Sequence, residues 1–139
     1  MHFDSDNALQ SFITAFENGS FPKSQWTHSS HLAMATAYLW LFPIHEATAL
    51  IRHGIQTYNV AQGGVNSPES GYHETLTIFW IQRVAEIIAE LPGEAQRLDA
   101  VRAVVDRYGH RRDVFNDYYS FDVVKSMEAR ARWVAPDLK

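Results

Sequence analysis

Residues 75–91, TLTIFWIQRVAEIIAEL, constrain the fold of this chain more than any other stretch. Apolar residues recur there at three- and four-residue intervals, the period of a helix. Polar side chains keep to one narrow strip: Gln82, Glu86 and Glu90, with Arg83 beside them. A helix polar on so thin a strip buries most of its surface, so the run predicts the central helix of a bundle. The opposite face carries Trp80, Ile81, Val84, Ile87, Ile88 and Leu91. Stepped back by three and four, that face reaches Thr77 and then His73 and Glu74. An imidazole and a carboxylate are therefore expected at the inner end of the most apolar helix. Burying such groups without partners costs roughly 2–7 kcal/mol each, so the remainder of the chain must supply those partners.

The other segments also read as helices. Leu9, Phe12, Ile13 and Phe16 give residues 6–17 a clean amphipathic spacing, closed by Asn18-Gly19. Thr27 is the natural N-cap of a second helix running to about residue 42. Its apolar positions are Leu32, Ala35, Tyr38, Leu39 and Phe42, and the same stripe extended backwards adds His31 and His28; Ser29 and Ser30 fall off it. After Pro43 a third helix is expected over 44–60, with Ile44, Ala47, Ile51, Ile55 and Tyr58 inward and His45, Arg52, His53 and Gln56 off the stripe. Residues 61–70, AQGGVNSPES, form a loop placed to serve as a lid or substrate loop. Pro92-Gly93 closes the central helix, and a fifth follows over 94–108. A short helix is expected at 114–119 and another from Ser126 to about residue 131, with Trp133-Val134 as an anchor. No segment alternates with a period of two. The fold class predicted is all-α, four to five main helices with a short helical C-terminal extension, over one domain, 1–139.

Composition excludes several functions. The net charge of −4 comes from interspersed acids and bases with no basic stripe, which argues against nucleic acid. The longest apolar run, residues 32–44, is too short to span a membrane. No cysteine occurs, so there is no disulfide, thiolate ligand or cysteine nucleophile, which fits a cytoplasmic protein. The start, MHFDSDNALQSF, is acidic and polar, unlike a secretory signal.

The candidate chemistry lies in two pairs. His28 and His31, three apart on one face, bring two imidazoles within about 5–6 Å of each other at Cβ. His73 would add a third nitrogen and Glu74 a base or fourth ligand. Histidines with a carboxylate and an open position are the composition of a catalytic site for one divalent metal, Zn, Fe, Ni or Mn. Glu74 would then be the catalytic base, acting on a small-molecule substrate in hydrolase- or lyase-type chemistry. Tyr38, Tyr58, Tyr72 and Thr77 are the candidate substrate-contacting residues. Two rival readings stand beside this one. In the first, a metal-free bundle binds a small ligand with the same groups. In the second, His28 and His31 bond to Glu74 as a buried structural network, and the protein acts through a partner surface, a homodimer included. His45 and His53 are expected at the surface, and the four tryptophans in packing. His110-Arg111-Arg112 reads as a cationic helix stop, with anion binding as its alternative. Gly63-Gly64 lacks the lysine of a phosphate loop, the HE pair lacks the second histidine of HExxH, and no Glu precedes a His by three as di-iron bundles require.

Trp26-Thr27-His28-Ser29-Ser30-His31-Leu32, Tyr58-Asn59, Tyr72-His73-Glu74-Thr75-Leu76-Thr77, Tyr118-Tyr119-Ser120 and Trp133-Val134-Ala135-Pro136-Asp137-Leu138 together resemble a family of small bacterial proteins carrying WTHxxHL and YHET motifs. That family brings no activity with it. The resemblance implies that His28, His31, His73 and Glu74 are its hallmark positions.

Overall fold

The computed structural model of the chain describes residues 2–139. Six α-helices build it: α1 (Asp6–Glu17), α2 (His28–Leu41), α3 (Ile44–Ala61), α4 (Glu74–Glu90), α5 (Arg97–Tyr108) and α6 (Met127–Ala131). Lys23–Gln25 and Val114–Asp117 are 3-10 turns. The second of these stands where a short helix is expected over 114–119 and ends two residues earlier. No strand occurs among the described residues, and the chain is an all-α bundle with a short helical extension. None of the helices is long and apolar enough to cross a membrane.

The helix enclosed on all sides is α2, not α4. Every residue from Leu32 to Tyr38 is buried, whereas the amphipathic spacing predicted a single inward stripe. Apart from the Tyr38 hydroxyl, Thr36 is the one polar side chain in that run, and its hydroxyl donates to the Leu32 carbonyl at 2.7 Å. Ala33, Ala35 and Ala37 are small enough for α3, α4 and α5 to close around it. Along α4, Phe79, Ile81 and Val84 are buried while Glu86 and Glu90 keep the expected strip in water.

Capping sets where α2 starts. The Thr27 hydroxyl accepts from the Ser30 N–H, and the Ser30 hydroxyl accepts from the Thr27 N–H at 3.1 Å and donates to the Gln25 carbonyl at 2.7 Å. Ser30 is fully buried by this arrangement, although helical spacing alone puts it off the stripe. Helix α5 begins at Arg97, later than the expected residue 94, because Asp99 accepts from the Gln96 N–H at 2.8 Å and fixes the cap there. Ile44, expected inward, is half exposed, since α3 turns its apolar face in only from Ala47.

The C-terminal extension is packed onto α4 by Phe79, Val114, Tyr119, Val123 and Ala129. Val134 fastens it, and Trp133 does not. The Val134 N–H donates to Thr75 Oγ1 at 3.0 Å and its carbonyl accepts from the Tyr119 hydroxyl at 2.7 Å. Trp133 stays 36% exposed.

Candidate functional site

A partly open cavity of about 750 Å³ lies where α2, α3 and α4 meet. Trp26, Leu32, Ile51, Ile55, Leu76 and Trp80 form most of its apolar wall, and His28, His31 and His73 all face it. Gln62, Gly64, Val65 and Ser70 close one side, so the segment expected to serve as a lid or substrate loop is part of the wall. Asn66 holds that segment in place. Its amide accepts from Asn59 and from the Tyr72 N–H, both at 3.0 Å, and donates to the Gln56 carbonyl at 3.0 Å. Gly71 makes the bend into α4 with φ +80, and a Cβ there would lie 2.5 Å from the Val65 carbonyl oxygen.

Each imidazole is held by a backbone carbonyl. His28 Nε2 lies 3.0 Å from the Tyr108 carbonyl oxygen, and His31 Nδ1 lies 2.8 Å from the Thr27 carbonyl oxygen. A ring nitrogen facing a carbonyl must carry the proton and donate. That leaves His28 Nδ1 and His31 Nε2 as unprotonated acceptors. Among the described residues no buried side-chain nitrogen or oxygen lacks a partner, so these two nitrogens border open space. The His28 ring meets Trp80 edge-on at 4.7 Å between centroids, and the His31 ring lies 4.1 Å from Trp26.

His73 is committed differently. It is the N-cap of α4, its Nδ1 accepting from the Leu76 N–H at 3.1 Å. Its Nε2 donates to the Val123 carbonyl at 2.8 Å. Both ring nitrogens are spent, which corrects its expected place as a third metal ligand: releasing either would undo a helix cap or a tie to the extension. Among the described residues no group of three or more His, Asp or Glu side chains is placed to hold a metal ion.

Glu74 is also turned elsewhere and does not line the cavity. Arg52 Nε and Nη2 donate to its two oxygens at 2.9 and 2.8 Å, and the Tyr72 hydroxyl donates to Oε1 at 2.5 Å. The expected catalytic base is thus a carboxylate held in a guanidinium fork, and the expected His28–His31–Glu74 network does not form. Arg52, placed off the inward stripe of α3, was the missing partner. Of the other candidates, Tyr58, Tyr72 and Thr77 line the cavity, but their hydroxyls bond to the Phe21 carbonyl, to Glu74 and to the His73 carbonyl respectively. Tyr38 lies outside the cavity, its hydroxyl donating to Glu17 at 2.6 Å.

Electrostatics keep the histidines neutral. Burial pushes His31 down to about 4, the charges of His28 and Arg112 adding to it against the Thr27 hydrogen bond. Burial likewise lowers His28, partly offset by the bond to Tyr108, with Arg112 again contributing. His73 is lowered by burial and, more weakly, by Arg130. Glu74 is lowered chiefly by its Arg52 hydrogen bonds. Three cations line the cavity, Lys23, Arg112 and Arg130, and no carboxylate does. By its place in the sequence Arg112 belongs to a cationic helix stop. The only sign of a second role was the run of cations His110-Arg111-Arg112 just past a glycine.

The fold and the site together define a class: an all-helical bundle with a half-open apolar cavity, neutral imidazoles in its wall and cations around it. Compared with protein-family models, curated proteins and solved structures, the chain matches none of them.

Proposed function

We propose that this protein binds a small, largely apolar molecule in the cavity between α2, α3 and α4, without needing a metal. One observation carries the reading: His28 and His31 both line this cavity, and each spends one ring nitrogen on a backbone carbonyl and keeps the other accessible and unbonded. Pre-oriented acceptors in an apolar wall are the usual makeup of a ligand site, and about 750 Å³ is within the range such sites occupy. Neutral imidazoles at pH 7 accept hydrogen bonds from a ligand hydroxyl or amide, and the same pair is equipped to take a proton from one. Filling the cavity tests this. Thr77→Phe and, separately, Thr77→Trp should keep the helical circular-dichroism spectrum. Both should abolish the quenching of tryptophan fluorescence by bound small aromatic molecules. Quenching that survives in both folded variants places binding elsewhere and defeats the reading.

A second reading is favoured by the same two nitrogens. His28 Nδ1 and His31 Nε2 would hold a Zn, Fe, Ni or Mn ion, with ligand or water completing its coordination. Metal analysis of the purified protein separates the two. Stoichiometric metal that disappears in His28→Ala favours this reading. Trace metal, or metal indifferent to that substitution, favours the first.

A further inference from the structure

Three cations line the cavity, and they differ in what they are already doing. Arg130 Nη1 donates to the Gly71 carbonyl at 2.7 Å and Nη2 faces the Val124 carbonyl at 3.4 Å, so much of its fork is spent on backbone. Lys23 and Arg112 are exposed, and among the described residues neither has an ion-pair partner. The neighbouring Arg111, by contrast, pairs with Asp113 and Asp117. Arg112 is therefore an unspent guanidinium on the rim of an apolar cavity, in a protein whose net charge is −4. Its local sign runs against that of the whole molecule. A guanidinium presents paired donors that match a carboxylate in two parallel hydrogen bonds. The one unspent fork matches the two oxygens of a carboxylate; a phosphate dianion would have to draw on the Lys23 ammonium as well, a point charge without the fork's geometry. Two indoles, Trp26 and Trp80, stand in the apolar wall, each against an imidazole.

We infer that the molecule bound in this cavity is a monocarboxylic acid with a flat apolar body, its carboxylate on Arg112 and its body between Trp26 and Trp80. The inference rests on the ligand-binding reading above and adds the charge and the kind of acid. Lys23 adds long-range attraction, which salt screens, while His28 and His31 accept from any hydroxyl or amide on the body.

Three probes with one body test it: 2-naphthoate, 2-naphthamide and 2-naphthyl phosphate, titrated against wild type, Arg112→Ala and Arg111→Ala by tryptophan quenching and calorimetry. Arg112 is exposed, so its removal leaves the fold intact. The expected result is 2-naphthoate binding about tenfold tighter than 2-naphthamide, the size of one charge-assisted bidentate contact. That preference should vanish in Arg112→Ala, persist in Arg111→Ala and shrink with added salt. Equal affinity for acid and amide in wild type overturns the anionic ligand while leaving the cavity reading standing. A preference that survives Arg112→Ala overturns the role of Arg112. Tighter binding of the phosphate than of the carboxylate overturns the monocarboxylate. Failure of all three probes to bind counts against the ligand site itself.

Discussion

At the start of α2 the cap is Thr27 and the histidines follow it, whereas at the start of α4 the cap is His73 itself. This difference of register decides what each imidazole has left. A hydroxyl caps α2, so His28 and His31 have only to satisfy one nitrogen each, and both do so on carbonyls. A ring nitrogen caps α4, so His73 must accept at Nδ1 and is free to donate only at Nε2, which Val123 takes. The residue after the cap fares the same way. Glu74, first in α4, meets Arg52 from α3 and has no oxygen to spare. One helix start therefore presents chemistry to the cavity and the other spends its chemistry on holding the bundle and its extension together.

The largest effect expected from breaking this contrast is at His73. Replacing it by Ala removes the α4 cap, worth about 1 kcal/mol, and leaves the buried Val123 carbonyl without a donor, worth about 1–3 kcal/mol. His73→Ala should lose about 2–4 kcal/mol in urea unfolding, and His73→Asn, a competent cap, should recover the first part. His31→Ala should cost less stability than His73→Ala and weaken ligand binding more. The contrast between the two helix starts collapses if His73→Ala unfolds no more easily than His31→Ala.

Acid should act in two windows. The unfolded chain takes a proton on His31 near pH 6.5, while the folded protein resists until about 4. Between those values the unfolded state holds the extra proton, so stability falls as pH falls from 6.5 toward 4. His31 alone contributes up to about 3 kcal/mol over that range, and His28 and His73 push the same way. In His31→Gln the drop measured by urea midpoints at pH 7 and pH 4 should shrink by about that amount. An unchanged pH dependence would show that His31 is protonated as readily in the fold as out of it.

Much of this was readable from the residues. The helical period of 75–91, the Thr27 cap, the glycine stop at Gly19 and the break at Pro43 put four of the five main helices within about two residues of where they lie. The shared face of His28 and His31 followed from their spacing. What escaped depended on contacts far along the chain. The partners of His28 and His73, Tyr108 and Val123, stand 80 and 50 residues away, and no local pattern marks a carbonyl as an acceptor. Histidine is an unusual N-cap, so the first-turn pattern of 73–77 read as a pair of inward functional groups. The fully buried α2 escaped for another reason. A one-sided stripe does not describe Leu32–Tyr38, because the only hydroxyls in the run are those of Thr36, which bonds within the helix, and Tyr38, which reaches Glu17.

The smallest effect sharpens the same comparison at Glu74. Burial and the Arg52 fork act against each other there, and the fork wins, holding the carboxyl below its usual range. Stability from such a group is present above the unfolded carboxylate value and is lost as pH falls through the folded one, a window lying below that of the histidines. The pair is only partly shielded, Arg52 being 40% exposed at its side chain and Glu74 16%, so screening keeps its worth to about 1 kcal/mol. The helix dipole adds a few tenths at most that Glu74→Gln also forfeits. Glu74→Gln should therefore lose about 1 kcal/mol at pH 7 and flatten the stability profile only in the lower window. Binding of 2-naphthoate should stay unchanged, because neither Glu74 nor Arg52 lines the cavity. A variant that keeps its stability and loses the ligand would return Glu74 to the site and make the two helix starts functionally equivalent.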